Sequence, residues 1–301
     1  CQGGASTAQW RRQGDGPGAG SSGPATGTGR RTRVAAAAQR RRRDRARAVR
    51  DGAELSRRLR LHRDRVGGDD QGDARDLDQA AGRVPVIAQT GATTTAEAIR
   101  LSQAAEKSGA SCLMLLTPFY EPLSIEETKN YLKDVSASVS LPVMLYNIPA
   151  VTGTNLDPDT VRELATEVDN IKYIKDSSAN WEQALRLIHH HSDVIGTFIG
   201  WDSFIYSALV EGSAGVMAGT ANVVPNEIVK VYNLVAAGDL NGARDEWNKI
   251  YPILDFLLAN QFIATVKSGL EIQGIPAGSP RKPTAASTPE QVAQLRKLLG
   301  K

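Results

Sequence analysis

The sequence predicts an α/β protein built on a parallel sheet, and three observations predict it. From Arg83 onward, short apolar runs alternate strictly with segments of helical period, the pattern of parallel strands joined by helical crossovers. The runs are continuously apolar, as in Cys112-Leu113-Met114-Leu115-Leu116, so both faces of the sheet are covered. Cap residues stand where helices should begin, Thr93-Thr94-Thr95 and Ser124-Ile125-Glu126-Glu127 among them, the second as a capping box.

In order, Val84 to Ala88 reads as a strand, Gly91-Ala92 as a turn, and Thr93 onward as an amphipathic helix ending near Lys107-Ser108-Gly109. Ser111 to Thr117 is the second strand, Ser124 opens the second helix, and Leu141 to Ile148 is the third strand. A helix from Pro158 to Glu167 follows, then a strand over Ile171 to Lys175 and a helix from Trp181 to His190. Val194 to Gly200 and Gly215 to Gly219 are the fifth and sixth strands, separated by a helix over Ser203 to Glu211. Pro225 to Ala237, Leu240 to Leu258, Phe262 to Gln273 and Pro289 to Leu299 read as closing helices.

The net charge of +3 hides two unlike segments. Residues 1 to 82 carry 18 Arg and no Lys against 10 acids, a net of +8. The remaining 18 basic residues and 23 acids give residues 83 to 301 a net of −5. The front segment has no Ile, Phe, Tyr, Met, Asn or Lys and supplies no recognisable strand. Three readings compete for it. The run Gln39-Arg40-Arg41-Arg42-Arg43-Asp44-Arg45 suits a nucleic-acid arm, though no aromatic residues are interleaved for stacking; its low hydrophobicity suits a disordered tail; and its Ala, Arg, Gly, Pro and Asp composition suits a GC-rich gene read in the wrong frame. Nucleic acid is not an expected partner. No apolar run is long enough to span a bilayer and no signal peptide is recognisable. Cys1 and Cys112 offer no disulfide framework, which predicts a cytoplasmic protein with Cys112 in its core.

The chemistry concentrates between Leu145 and Ser177. Two strands there end in Tyr146-Asn147-Ile148-Pro149 and in Lys175-Asp176-Ser177, with a three-turn helix between them. If the strands are parallel, Tyr146 and Lys175 lie side by side at the carboxyl end of the sheet. A buried lysine tends toward its amine form, and an amine can attack a ketone to form a Schiff base with a phenol as proton carrier. The plainer alternative is a lysine solvated or paired with Asp176.

The pattern Tyr-Asn-Ile-Pro-x-x-Thr-Gly followed at this distance by Ile-Lys-Asp resembles the pyruvate-dependent aldolase superfamily of dihydrodipicolinate synthase and N-acetylneuraminate lyase. The resemblance implies a (β/α)8 TIM barrel with a C-terminal helical bundle. Residues 83 to 223 would supply units three to eight and residues 224 to 301 the helices, while the first two βα units are not recognisable. It implies a class I lyase joining pyruvate to an aldehyde or cleaving a 2-keto acid, with no cofactor and no metal, and assembly as a homotetramer. Alternatives are 4-hydroxy-tetrahydrodipicolinate synthesis itself, dehydration of a 2-keto-3-deoxy sugar acid through the same imine, or a non-catalytic truncated barrel. Lys175 matches the Schiff-base lysine, Tyr146 the proton-transfer tyrosine, and Tyr120 a second tyrosine that reaches a neighbouring subunit's site. Gly200, Met217, Asp202, Thr152 and Val151 fall at substrate-binding positions.

Departures from the pattern bear on specificity. No equivalent of the family's hydroxyl pair at the second strand's end is recognisable. Tyr173, two before the lysine, replaces a small residue and by alternation points inward. Val151 stands where dihydrodipicolinate synthases carry an arginine, and Ser203 replaces the acid with which sialic-acid lyases bind the sugar tail. His189-His190-His191 lacks ligand spacing and reads as a solvated helix end. Gly212-Ser213-Ala214-Gly215 and Gly219-Thr220-Ala221-Asn222 suit either phosphate loops or tight turns.

Overall fold

The structure is a computed structural model that describes residues 80–121 and 123–301; the competing readings of the front segment lie, as far as residue 79, outside the described residues. Six strands form one parallel sheet: β1 (Ile87–Gln89), β2 (Cys112–Leu116), β3 (Val143–Asn147), β4 (Ile171–Asp176), β5 (Gly196–Ile199) and β6 (Gly215–Val216). Each pairs with the next in sequence. β1 is shorter than its apolar run because Pro85 has no N–H for the ladder; pairing starts where Ser111 N–H donates to the Val86 carbonyl at 2.9 Å.

Between the strands run α1 (Thr95–Lys107), α2 (Ile125–Ala137), a four-residue α3 (Pro149–Thr152), α4 (Pro158–Glu167), α5 (Trp181–His190) and α6 (Ile205–Glu211), the last entered through a 3₁₀ turn at Asp202–Phe204. The starts are fixed chemically. Thr94 accepts from the Glu97 N–H, Asp157 from the Asp159 and Thr160 N–H groups, and Asn180 from the Gln183 N–H. Ser124 and Glu127 complete a reciprocal capping box, and Gly212, at φ 85°, ends α6 in the left-handed region that suits glycine. The turn α3 is absent from the periodic pattern because four residues are too few to show one.

The sheet has two apolar faces. Leu113, Leu115, Val143, Leu145, Ile171 and Ile174 pack outward against Leu132, Val135, Val161, Leu164 and Leu187 of the helices. Cys112, Met114, Met144 and Phe198 meet on the other face, with Ile87, Tyr146, Tyr173 and Met217 around them. That residues from β1 and from just beyond β6 share this second cluster shows that the sheet curls around an interior. Burying a large apolar side chain in either cluster contributes about 1.5–3 kcal/mol.

A register shift between Val143 and Met144 places the phase of β4. Ile171 pairs with Val143 and faces out, but Tyr173 pairs with Met144, leaving Lys172 as the extra residue. Tyr173 and Lys175 are thereby turned into the interior.

After a 3₁₀ turn at Gly219–Asn222 come α7 (Pro225–Ala236), α8 (Leu240–Leu258), α9 (Phe262–Ile272) and α10 (Pro289–Leu298). Val231, Trp247, Leu254, Leu257 and Leu295 build their common core, into which α6 contributes Ile205 and Leu209. Among the described residues no helix is long and apolar enough to cross a membrane. His189 and His190 are exposed as expected of a helix end, but His191 is buried, with its Nδ1 3.5 Å from an Arg162 guanidinium nitrogen. The end of α5 folds back against α4 at that point, so only two of the three histidines are solvated.

Candidate active site

The carboxyl ends of the strands bring the site together. Tyr146 and Lys175 are register partners across β3 and β4, and Lys175 Nζ lies 3.9 Å from the centre of the Tyr146 ring. The contact is with the ring face rather than the hydroxyl. Both side chains are half-buried.

Asp176 is not the partner of Lys175. It lies on the outer face, where one carboxylate oxygen accepts from Asn147 Nδ2 at 2.9 Å and Gln183 Nε2 at 3.2 Å, and the other from Ser178 Oγ at 2.9 Å. Asn147 in turn accepts from the Leu156 N–H at 2.9 Å and donates to Asn155 Oδ1 at 3.0 Å. The network ties the loop after β3 to β4 and α5, and so holds the strand ends that carry Tyr146 and Lys175. Burial raises the Asp176 carboxyl above its usual range, against hydrogen bonds from Asn147 and Ser178 that lower it. Asp176→Ala would leave buried donors unpaired and is expected to cost about 2–4 kcal/mol of stability, read as a fall in the urea midpoint; an unchanged midpoint would contradict the network's structural role.

The ladder continues one residue beyond the strands. Ser177 N–H donates to the Asn147 carbonyl at 2.8 Å, Gly200 N–H to Asp176 at 2.9 Å, and Met217 N–H to Ile199 at 2.9 Å. Ser177, Gly200 and Met217 therefore keep the inward phase of Lys175, Phe198 and Gly215. Gly200 is a point of close approach: a methyl there would stand 2.7 Å from Lys175 Cε and closer still to Ser177 Oγ. Gly196 likewise makes room for Tyr173, whose ring would meet a methyl there at 2.9 Å. Tyr173 packs edge-on against Phe198 with centroids 5.8 Å apart, a larger wall beside the lysine than a small residue would give.

Asp202 begins the 3₁₀ turn after β5, is 5% exposed, and accepts from the Thr220 N–H at 2.7 Å. Burial raises its carboxyl; the Thr220 hydrogen bond and the charge of Lys175 act in the opposite direction. The folded chain thus holds the Asp202 proton to a higher pH than the unfolded chain, whose carboxyl titrates near ~3.9. Stability from this group is present below that value and declines as pH climbs through the folded value. Asp202→Asn is expected to melt above the parent chain at neutral pH and to lose that advantage in acid; a lower melting temperature at neutral pH would contradict the assignment.

The other candidates separate. Tyr120 is 81% exposed on the loop after β2, and Val151 is 63% exposed on α3. The Thr152 hydroxyl is occupied within its own turn, donating toward the Ile148 and Thr154 carbonyls and accepting from the Thr154 N–H. Gly219 lies under the Phe262 ring, 2.6 Å from where a methyl would stand, so α9 covers the turn after β6. Among the described residues no group of three or more His, Cys, Asp or Glu side chains is placed to hold a metal.

Residues 75–301 match the Dihydrodipicolinate synthetase family. The chain belongs to that family. Two curated relatives named for 4-hydroxy-tetrahydrodipicolinate synthase agree. The Halalkalibacterium halodurans enzyme 1 is 36% identical over 219 residues, covering 73% of this chain and 74% of the relative. The Archaeoglobus fulgidus enzyme is 34% identical over 217 residues, covering 72% and 75%. Among solved structures, a prophage protein of E. coli K12 belonging to the dihydrodipicolinic acid synthase family, in complex with pyruvate, superposes with TM-score 0.73 at 29% identity over 77% of this chain and 79% of its own. The Thermotoga maritima dihydrodipicolinate synthase gives TM-score 0.73 at 26% identity, over 77% and 79%. The curled parallel sheet is thus the TIM-barrel-like fold of the dihydrodipicolinate synthetase family. Against that family frame, contacts that the sequence did not mark include the Ser177 hydroxyl beside Lys175 and the Phe262 ring over Gly219. Alternation two residues beyond Lys175 signals the first; nothing local signals the second, which is a contact between distant segments.

Proposed function

We propose that this chain is a Schiff-base-forming lyase that joins pyruvate to an aldehyde or cleaves the corresponding 4-hydroxy-2-keto acid. The observation that carries the reading is Lys175 Nζ against the Tyr146 ring at 3.9 Å, in register at the carboxyl ends of adjacent strands. In its amine form Lys175 attacks the pyruvate ketone, and loss of water gives a protonated imine. The imine withdraws electrons, so C3 gives up a proton and becomes an enamine carbon. That carbon attacks the aldehyde carbon, the carbonyl electron pair moves to oxygen, and the oxygen takes a proton. Water then releases the 2-keto acid and restores Lys175, with no net oxidation. Tyr146 carries protons in both directions, and Gly200 lets the lysine stem lie close to the backbone of the next strand. In a homo-oligomer, exposed Tyr120 reaches a neighbouring copy's site and extends the relay.

A second reading, 4-hydroxy-tetrahydrodipicolinate synthesis itself, is favoured by the names of the relatives above. Both readings require the same imine. In deuterium oxide the protein is expected to exchange the methyl protons of pyruvate, seen as loss of the methyl NMR signal, and Lys175→Ala to abolish the exchange. Exchange at equal rates in both proteins would contradict the role of Lys175.

A further inference from the structure

We infer that Asn147 is a positioning residue for the imine chemistry: by donating to Asp176 on the outer face of the sheet, it fixes the separation of Tyr146 and Lys175 on the inner face. The inference rests on the Schiff-base reading above and assigns a further residue to the same site.

Two register pairs stand in succession across β3 and β4. Tyr146 pairs with Lys175, and Asn147 with Asp176. Successive residues of a strand point to opposite faces, so the polar pair lies behind the reacting pair, one residue further along each chain. Asn147 Nδ2 donates to Asp176 Oδ1 at 2.9 Å, and the backbone ladder crosses beside it, Ser177 N–H donating to the Asn147 carbonyl at 2.8 Å. Asn147 is 0% and Asp176 3% exposed. A hydrogen bond so enclosed costs the full desolvation of its partner when it is lost.

Neighbours dictate which way the Asn147 amide points. Its Oδ1 accepts from the Leu156 N–H at 2.9 Å, which turns Nδ2 toward Asp176 and toward Asn155 Oδ1 at 3.0 Å. Gln183, on α5, donates to the same Asp176 oxygen at 3.2 Å and exchanges hydrogen bonds with Asn155 in both directions, at 3.0 and 3.3 Å. Just beyond Asp176, Ala179 is held at φ 60° in the left-handed region, a conformation that persists where its surroundings over-determine it. Ser178 Oγ supplies part of that restraint, donating to Asp176 at 2.9 Å and accepting from the Asn180 N–H at 3.1 Å. The strand end that carries Lys175 is thus fastened from the outer face. A shift of about 1 Å in a reacting group costs on the order of 10² in rate, so slack in this outer pair is felt at the inner one.

The test replaces the donor by a second carboxylate in Asn147→Asp and follows loss of the pyruvate methyl protons in deuterium oxide across pH. Nearby titratable groups are engaged or exposed: Asp157 caps α4, Asp159 pairs with Arg186, and Glu182 faces solvent. Two facing carboxylates share a proton in mild acid and repel once it leaves. The variant should therefore approach the parent rate in mild acid and fall about 10²-fold below it in mild alkali, with the change in kcat and little in the KM for pyruvate. Asn147→Asp combined with Asp176→Asn reverses the polarity of the bond: the new amide donates to the new carboxylate, Asn155 and Gln183 turn their amides over, and Ser178 keeps its acceptor. The double variant should recover most of the parent rate at every pH.

A single variant in constant ratio to the parent across pH, rates that fall only in step with the melting temperature, or a folded double variant as slow as the single one would each overturn the inference. Should the single variant fail to fold, the double variant decides alone: recovered exchange supports the positioning role, whereas slow exchange, or a second failure to fold, overturns it. Any of these failures in a parent chain that still forms a borohydride-trapped pyruvate adduct on Lys175 leaves the imine intact. Absence of that adduct from the parent would remove the Schiff-base reading, and this inference with it.

Discussion

Gly200→Ala is expected to lower kcat/KM by about 10²-fold or more while shifting the melting temperature only slightly. A Cβ at this position would come 2.7 Å from Lys175 Cε and 3.0 Å from Lys175 Cγ, and would collide with Ser177 Oγ. The atoms it meets belong to side chains rather than backbone, so the fold yields at little cost by turning the lysine and serine away. The catalytic geometry does not survive that movement. Nζ leaves the ring face of Tyr146, and displacement of a reacting group by about 1 Å costs on the order of 10² in rate. Parallel measurement of kcat/KM and thermal melting checks this. Full activity would show that the lysine stem does not depend on Gly200, and a collapsed melting temperature would show that the glycine serves folding.

Tyr146→Phe should lower kcat by about 10²–10⁴-fold, the contribution of a positioned proton carrier, with the fold unchanged. Phenylalanine keeps the ring on which Nζ rests at 3.9 Å and removes only the hydroxyl. Pyruvate should still be trapped on Lys175 after long incubation, because water can carry protons slowly, whereas methyl-proton exchange should fall in step with kcat. A variant with parental kcat would show that the phenol takes no part in proton transfer.

Much of this arrangement is legible in the chain because each piece has a local cause. The capping box at Ser124 and Glu127, the caps at Thr94, Asp157 and Asn180, and the bounds of the helices Pro158–Glu167 and Trp181–His190 follow from short-range chemistry. The pairing of Tyr146 with Lys175 follows from two apolar runs that end alike on either side of one helix. The phase of β4 is less direct. Strict alternation from buried Ile171 would place Tyr173 and Lys175 outward, and the register shift at Lys172 turns them in. Aligning the alternation on Lys175 rather than on Ile171 gives the right face, but the bulge has no local signature. Contacts between distant segments are invisible for the same reason: Phe262 over Gly219, the Asn147–Asp176–Gln183 network and the burial of His191 each join elements far apart in sequence.

The central claim is a covalent bond between pyruvate and one lysine. Incubating the full chain with pyruvate, reducing with borohydride and mapping the added mass by peptide mass spectrometry tests it most directly. The account predicts one reduced pyruvyl adduct on the peptide containing Lys175, absent from Lys175→Ala. A folded protein that binds pyruvate yet carries no adduct, or that carries it on another lysine and keeps it in Lys175→Ala, would contradict the account.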